Sequence, residues 1–230
     1  MPKCICVIAA HPDDEVLGCG ATVRKYVDAG WRAVCIIMTG GIGGRHDGTA
    51  DETVRASQRA LAEQSVAAAA VLGFSRLEQL DFPDNRMDIV SRMDISRQIK
   101  LVLDEERPDL ILTHHPGDYN WDHTVTFDAV LMAARHSPGD PSPSEIWSFE
   151  VRSSTERGWA GRLPFNPTIY VTVEATLDAK EDALRCYAME LHDAPHPRSV
   201  EGIRALAAMR GHEIGQPAAE AFACIRRVVA

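Results

Sequence analysis

The 230 residues are 45% hydrophobic and 25% charged, enough apolar material for an ordinary core and no signature of disorder. A formal charge of −9 excludes a general nucleic-acid binder, which needs a basic stripe against phosphates, and a protein that docks on anionic membranes. The longest apolar runs fall far short of the ~20 residues of a membrane span; the expected location, where cysteines stay free thiols, is the reducing cytoplasm.

The chain opens with MPKCICVIAAHPDDE. Its apolar run at 3–10 meets acidic residues at once, with no small-residue cleavage site, and so predicts a first strand rather than a signal peptide. Helical periodicity follows over 14–29 through Val16, Leu17, Val23, Tyr26 and Val27, stopped by Gly30. RAVCIIMTG (32–40) predicts a second buried strand running into the glycine loop TGGIGG (39–44). An alanine-rich helix is expected over 51–72, a short strand over 77–82, an amphipathic helix over 89–106, and a buried strand over 109–114. A helix over 122–135 comes next. After Ser137 the texture loosens: a loop at 137–144, strands at 146–151 and 169–176, and a long polar excursion between them. Asp178 and Glu181 fit a capping box opening a helix over 179–191. A helix over 199–210 and a last strand-like run complete the chain. Six cysteines lie without CxxC spacing, and free thiols in a reducing compartment are the expected state.

Strands alternating with helices predict an α/β fold: a Rossmann-like three-layer sandwich around a mostly parallel sheet. Right-handed crossovers put every strand's carboxyl end on one edge, where open α/β sheets bind ligands. HPDDE (11–15), TGGIGG, DFPDN (81–85) and HHPGDYNWDH (114–123) all follow strands and therefore converge there. A histidine and an aspartate three residues apart across a turn, His11 and Asp14, can face one metal, and a catalytic zinc takes three protein ligands plus water. The third ligand has to come from another loop on the same edge, and His114, His115 and His123 are all available. Read alone, the three acids after Pro12 would only cap a helix start.

HPDDE after an amino-terminal strand, with DH after a later one, resembles the PIG-L/LmbE-like family of zinc-dependent N-deacetylases. TGGIGG and LDFPDN fit the same pattern, which covers roughly residues 1–135, and PHPRS…RG…AEAF is similar to a carboxyl-terminal signature of bacterial sugar deacetylases. The resemblance implies one LmbE-like domain over 1–230, with a metal-binding core at 1–135 and substrate-side loops and carboxyl-terminal elements at 136–230. It implies Zn2+, with Fe2+ as the alternative, held by His11, Asp14 and His123, and Asp13 as general base. The implied reaction removes an N-acetyl group from an N-acetylglucosamine-type sugar or conjugate, giving acetate and a free amine.

The sequence departs from the family where a histidine normally precedes the zinc histidine by three residues: here it is Asn120, and Thr124 replaces an arginine. Three readings follow: Asn120 donates to the oxyanion through its amide, which we prefer; His114 or His115 does so; or the activity is lost or redirected. On the first reading Asp122 orients His123 or Asn120. Asp84, His114, His196 and Arg198 are candidate substrate residues, though each is equally at home in ordinary loop structure. His46 could line an entrance, and Trp121 and Trp159 could stack on a sugar ring. A non-catalytic member that binds metal or sugar, and an amidase of thiol–sugar conjugates, are the rival functions. The partner is a small N-acetylated molecule, with no nucleic acid and no membrane insertion, and a homo-oligomer is compatible with the sequence. A dinucleotide-binding protein is a poor reading, because HPDDE stands where a GxGxxG turn would be needed.

Overall fold

The strand β1, Cys4–Ala9, is buried on both faces, and its alternating side chains feed two separate cores. Ile5 and Val7 pack with Val16 and Leu17 of α1 (Asp14–Asp28), with Leu61 and Leu72 of α2 (Glu52–Leu72), and with Leu184 of α5 (Leu177–Cys186). Cys4, Cys6 and Ile8 face the opposite way, toward Ile95 and Ile99 of α3 (Arg92–Glu106) and Val125 and Val130 of α4 (Trp121–Ala133). A continuously apolar strand between two helical layers is therefore what makes the fold a three-layer sandwich. This computed structural model describes residues 2–43, 52–135, 143–159 and 161–229.

The remaining elements are β2 (Arg32–Thr39), β3 (Arg76–Phe82), β4 (Leu110–His114), β5 (Glu145–Phe149), β6 (Ile169–Thr172), α6 (Val200–His212) and β7 (Ala219–Arg227). They form one seven-stranded sheet in the order β3-β2-β1-β4-β5-β7-β6, parallel except where β7 runs against β5 and β6. The chain builds outward from β1 to β3, then returns to lay β4 on the other flank of β1. That reversal opens a crevice at the carboxyl ends of β1 and β4, the place where such sheets take ligands. No helix among the described residues is long and apolar enough to cross a membrane. All six cysteines are free.

The structure corrects the reading of the carboxyl-terminal half in three places. α5 begins two residues earlier than the capping box required, and no side chain caps it. Asp178 instead accepts from Arg204 of α6 at 3.0 Å, and Glu181 pairs with the same guanidinium, so a tertiary cation outcompetes the local cap. α5 ends at Cys186 rather than 191, where Tyr187 turns inward to full burial. The strand expected over 169–176 stops at Thr172, and a 3₁₀ turn at Glu174–Thr176 follows.

Helix α1 carries the HPDDE motif at its start and is fixed from three sides. Its Gly18 lies so close to β5 that an added Cβ would meet the Phe149 ring at 2.2 Å. Lys180 of α5 donates to the Leu17 carbonyl (2.8 Å) and to Glu220 of β7 (2.6 Å). Glu220 in turn accepts from the Ala21 and Thr22 amides at 3.2 and 2.7 Å. Both charged side chains are almost fully buried, and removing one partner of such a pair strands the other charge. Lys180→Met is therefore expected to lose about 3–5 kcal/mol of stability, read as a fall in the urea midpoint.

Candidate active site

His11 leaves the end of β1, and Asp13 follows in a left-handed backbone conformation with φ 96°. A non-glycine residue there is unusual and is held by its surroundings. The Asp13 amide donates to Glu15 Oε2 at 3.2 Å, and Glu15 Oε1 accepts from the Tyr187 hydroxyl at 2.5 Å. The turn sends two consecutive carboxylates in different directions. Asp14 reaches back to accept from the His11 amide at 2.9 Å, whereas Asp13 faces Arg198, which donates to its Oδ2 at 3.0 Å. The helix-cap explanation for these acids fails at Asp13, whose side chain makes no cap bond.

Three ligand atoms from two loops meet at one point. His11 Nδ1, Asp14 Oδ2 and His123 Nε2 stand 3.2 Å apart along all three edges. Two atoms bound tetrahedrally to zinc at 2.0–2.1 Å would lie about 3.3–3.4 Å apart, so the triangle has the size of one face of such a site. A proton can bridge only one edge of the three, whereas a cation satisfies all of them. The surrounding field favours positive charge here. Burial would lower both histidine pKa values, but Asp122 and Asp14 raise His11 well above its usual value. Asp14 and Asp118 push His123 up to about 9. The same field that holds a proton on these rings suits a divalent cation at their meeting point, and the residues fit a zinc-type metal.

Carboxylates back both imidazoles, the arrangement that orients metal-binding histidines. Asp122 was expected to orient His123 or Asn120 with its side chain; its Oδ2 instead lies 3.2 Å from His11 Nε2. Its oxygens also accept from the amides of Asn85 (2.6 Å) and Met87 (3.0 Å), which fixes the carboxylate in place. Asp84 stands 3.4 Å from the same Nε2. The partner of His123 is Asp118, 3.2 Å from Nδ1 though off the hydrogen-bonding line. Asp118 accepts from the Asn120 amide (2.8 Å), from Thr155 (2.6 Å) and from Ser154. Burial would raise its pKa, but the His123 ring, with the two hydroxyls, holds it well below the usual carboxylate range.

Asn120 caps α4, its Oδ1 accepting from the Asp122 amide at 2.8 Å. The cap thereby settles which end of the side-chain amide is free: the NH2 group faces Asn85 Oδ1 at 3.3 Å, beside the cavity. His114, a candidate substrate residue, is fully buried and so cannot touch one. It accepts from the Ala10 amide at 2.8 Å and stacks on His123 at 3.9 Å. Burial, reinforced by His123, pushes it down to about 3. His115 is turned away, bonded to the Leu163 carbonyl at 2.9 Å. His196 does not line the cavity; it accepts from the Arg198 amide and packs on His192. Arg198 does reach the cavity, but its guanidinium is committed to Asp13 and Glu190 rather than left open for substrate. His46 lies outside the described residues.

These side chains enclose a polar cavity of about 220 Å³ whose walls include His11, Asp13, Asn85, Asn120, Ser154 and Arg198. Sequence reasoning passed over Asp118, Asn85 and Glu190. The first two sit inside motifs already singled out by their position after strands; Glu190 carries no local signal.

Residues 6–134 match the PIG-L family, described as GlcNAc-PI de-N-acetylase. The Escherichia coli K12 protein called uncharacterized deacetylase YaiS is 32% identical over 179 residues, 75% of this chain and 83% of that one. A 1D-myo-inositol 2-acetamido-2-deoxy-alpha-D-glucopyranoside deacetylase of Rhodococcus erythropolis is 26% identical, across 84% of this chain and 83% of its own. Among solved structures, GalB, the 4-carboxy-2-hydroxymuconate hydratase of Pseudomonas putida KT2440, superposes with a TM-score of 0.79 at 22% identity, covering 99% and 98% of the two chains. A fold shared with a hydratase cannot by itself name a reaction, but the sequence match across more than half the chain assigns the lineage: the chain belongs to the PIG-L family.

Proposed function

We propose that the chain hydrolyses an N-acetyl group on an amino sugar or its conjugate, releasing acetate and a free amine. The observation that carries this reading is the division between the neighbouring carboxylates, Asp14 facing the two imidazoles and Asp13 facing away from them toward Arg198. A metal-assisted hydrolysis needs both: one carboxylate as ligand and one kept off the metal to move protons. The amino-sugar substrate rests on the names of the relatives and on the polar lining of the cavity.

His11, Asp14 and His123 would hold Zn2+, or Fe2+ in its place. When bound, such an ion supplies Lewis acidity toward a carbonyl and lowers the pKa of water from 15.7 to about 7. Asp13 takes the proton of the attacking water on its carboxylate and returns it to the nitrogen of the departing amine. Burial pushes this carboxyl well above its ordinary value while Arg198 opposes the shift, which suits a group that must both accept and release a proton. The Asn120 NH2 group donates to the acetamide oxygen as negative charge develops there. Tyr187 and Glu15 hold the Asp13 backbone in its left-handed turn.

One observation favours a second reading, a member that binds metal and sugar without hydrolysis: an amide occupies the position of the family's histidine. Acetate release from N-acetylglucosamine and its conjugates, measured beside metal content by elemental analysis, separates the two, and metal without acetate would overturn our proposal. Asp13→Asn is expected to keep its metal and its fold while acetate release falls to background. Retained turnover in that variant would remove Asp13 from the mechanism. Asn120→Asp separates capping from donation, since Asp and Asn cap helices equally well. Its melting temperature is expected to stay unchanged while kcat falls about 10²–10³-fold. An unchanged kcat would assign the oxyanion donor elsewhere.

A further inference from the structure

Among the described residues, the exposed large aromatic side chains are three, Tyr119, Trp121 and Trp159, and they gather at one place beside the cavity mouth. Tyr119 and Asn120 line the cavity, and Trp121 is the next residue along, 59% exposed. Trp159 comes from the polar excursion after β5 and is 52% exposed. The guanidinium of Arg162 lies 4.9 Å from the Trp121 ring centre and 4.5 Å from that of Trp159, joining the two indoles into one platform. The loop that carries Arg162 is itself anchored: the Leu163 carbonyl bonds His115, and Phe165 packs edge-on against the same imidazole. Exposed indoles held in fixed positions next to a polar cavity are a stacking surface rather than a leftover of the core.

Size and continuity identify what would lie there. At about 220 Å³ the cavity falls below the 300–1,000 Å³ that encloses a whole drug-sized ligand, so it takes the acetamido sugar and leaves any substituent outside. A groove of about 510 Å³ opens beside it, lined by Thr155, Trp159, Arg162 and Phe165. One segment walls both spaces, with Ser153 and Ser154 on the cavity and Thr155 on the groove. We propose that Trp121, Trp159 and Arg162 form a subsite for a second sugar ring, so that the substrate is an N-acetylated disaccharide or longer glycan rather than a free monosaccharide. This rests on the deacetylase reading above. The apolar face of the outer ring lies on an indole, and the Arg162 guanidinium fixes the geometry of the stack.

The test compares N-acetylglucosamine with its β-1,4-linked dimer in steady state, with tryptophan fluorescence read in parallel. Wild-type kcat/KM is expected to be about tenfold or more higher for the dimer. Trp121→Ala and Trp159→Ala are each expected to raise KM for the dimer about tenfold and leave both kcat and the monosaccharide rate in place. Trp121→Phe should restore most of the loss. Equal rates for the two sugars in the wild type, or equal losses on both in the variants, would overturn the subsite. So would a shift in oligomeric state with no change in the rate ratio, which would make the platform a contact between copies. Fluorescence separates this proposal from the one it rests on. Dimer-dependent quenching that Trp121→Ala abolishes, in a protein releasing no acetate from either sugar, would uphold the subsite and sink the deacetylase reading. Acetate release without such quenching would do the reverse.

Discussion

Seven carboxylates stand buried around the end of β1: Asp13, Asp14, Glu15, Asp84, Asp118, Asp122 and Glu190. Removing that much negative charge from water is prohibitive unless each group finds a donor or a cation, and the local structure follows from this constraint. Asp122 takes two backbone amides, which fixes the path of the DFPDN turn. Asp118 takes an amide and two hydroxyls, drawing the segment after β5 onto the loop after β4. Glu15 takes a phenol and an amide, bringing the end of α5 down upon α1. Four remain: Asp84 stands beside His11, Glu190 and Asp13 share Arg198, and Asp14 faces two imidazoles.

Much of this was legible in the letters. The apolar runs marked the strands because a strand covered on both faces has no polar side to alternate with. The order of strands and helices then puts HPDDE and the DH pair on one edge. The carboxyl-terminal half was harder to read. Asp178 and Glu181 satisfied a local capping pattern, yet Arg204, more than twenty residues away, engages both. No local rule anticipates a partner at that distance.

The site divides along the same line. Identities within a motif were readable, while pairings between loops were not. Asp122 is adjacent to His123 in sequence and backs His11 in space, because a side chain at the first turn of α4 points across the crevice rather than along it. Asp118, five residues before His123, is the group beside that ring. Arg198 read as a candidate substrate residue because, with His196, it lies in the carboxyl-terminal stretch that resembles the family's signature. The anion it meets is Asp13, which the chain itself supplies.

The anchoring of α1 bears on how such a motif could ever be transplanted. Every residue proposed to touch the reacting group falls within the stretch that matches the family, 6–134. What holds Asp13 in its turn falls outside it: Phe149 behind Gly18, the Lys180–Glu220 pair threaded into the helix backbone, Tyr187 behind Glu15, and Arg198 on the carboxylate itself. Copied into a foreign scaffold, HPDDE would bring its ligands and lose its geometry. The portable unit is nearly the whole chain.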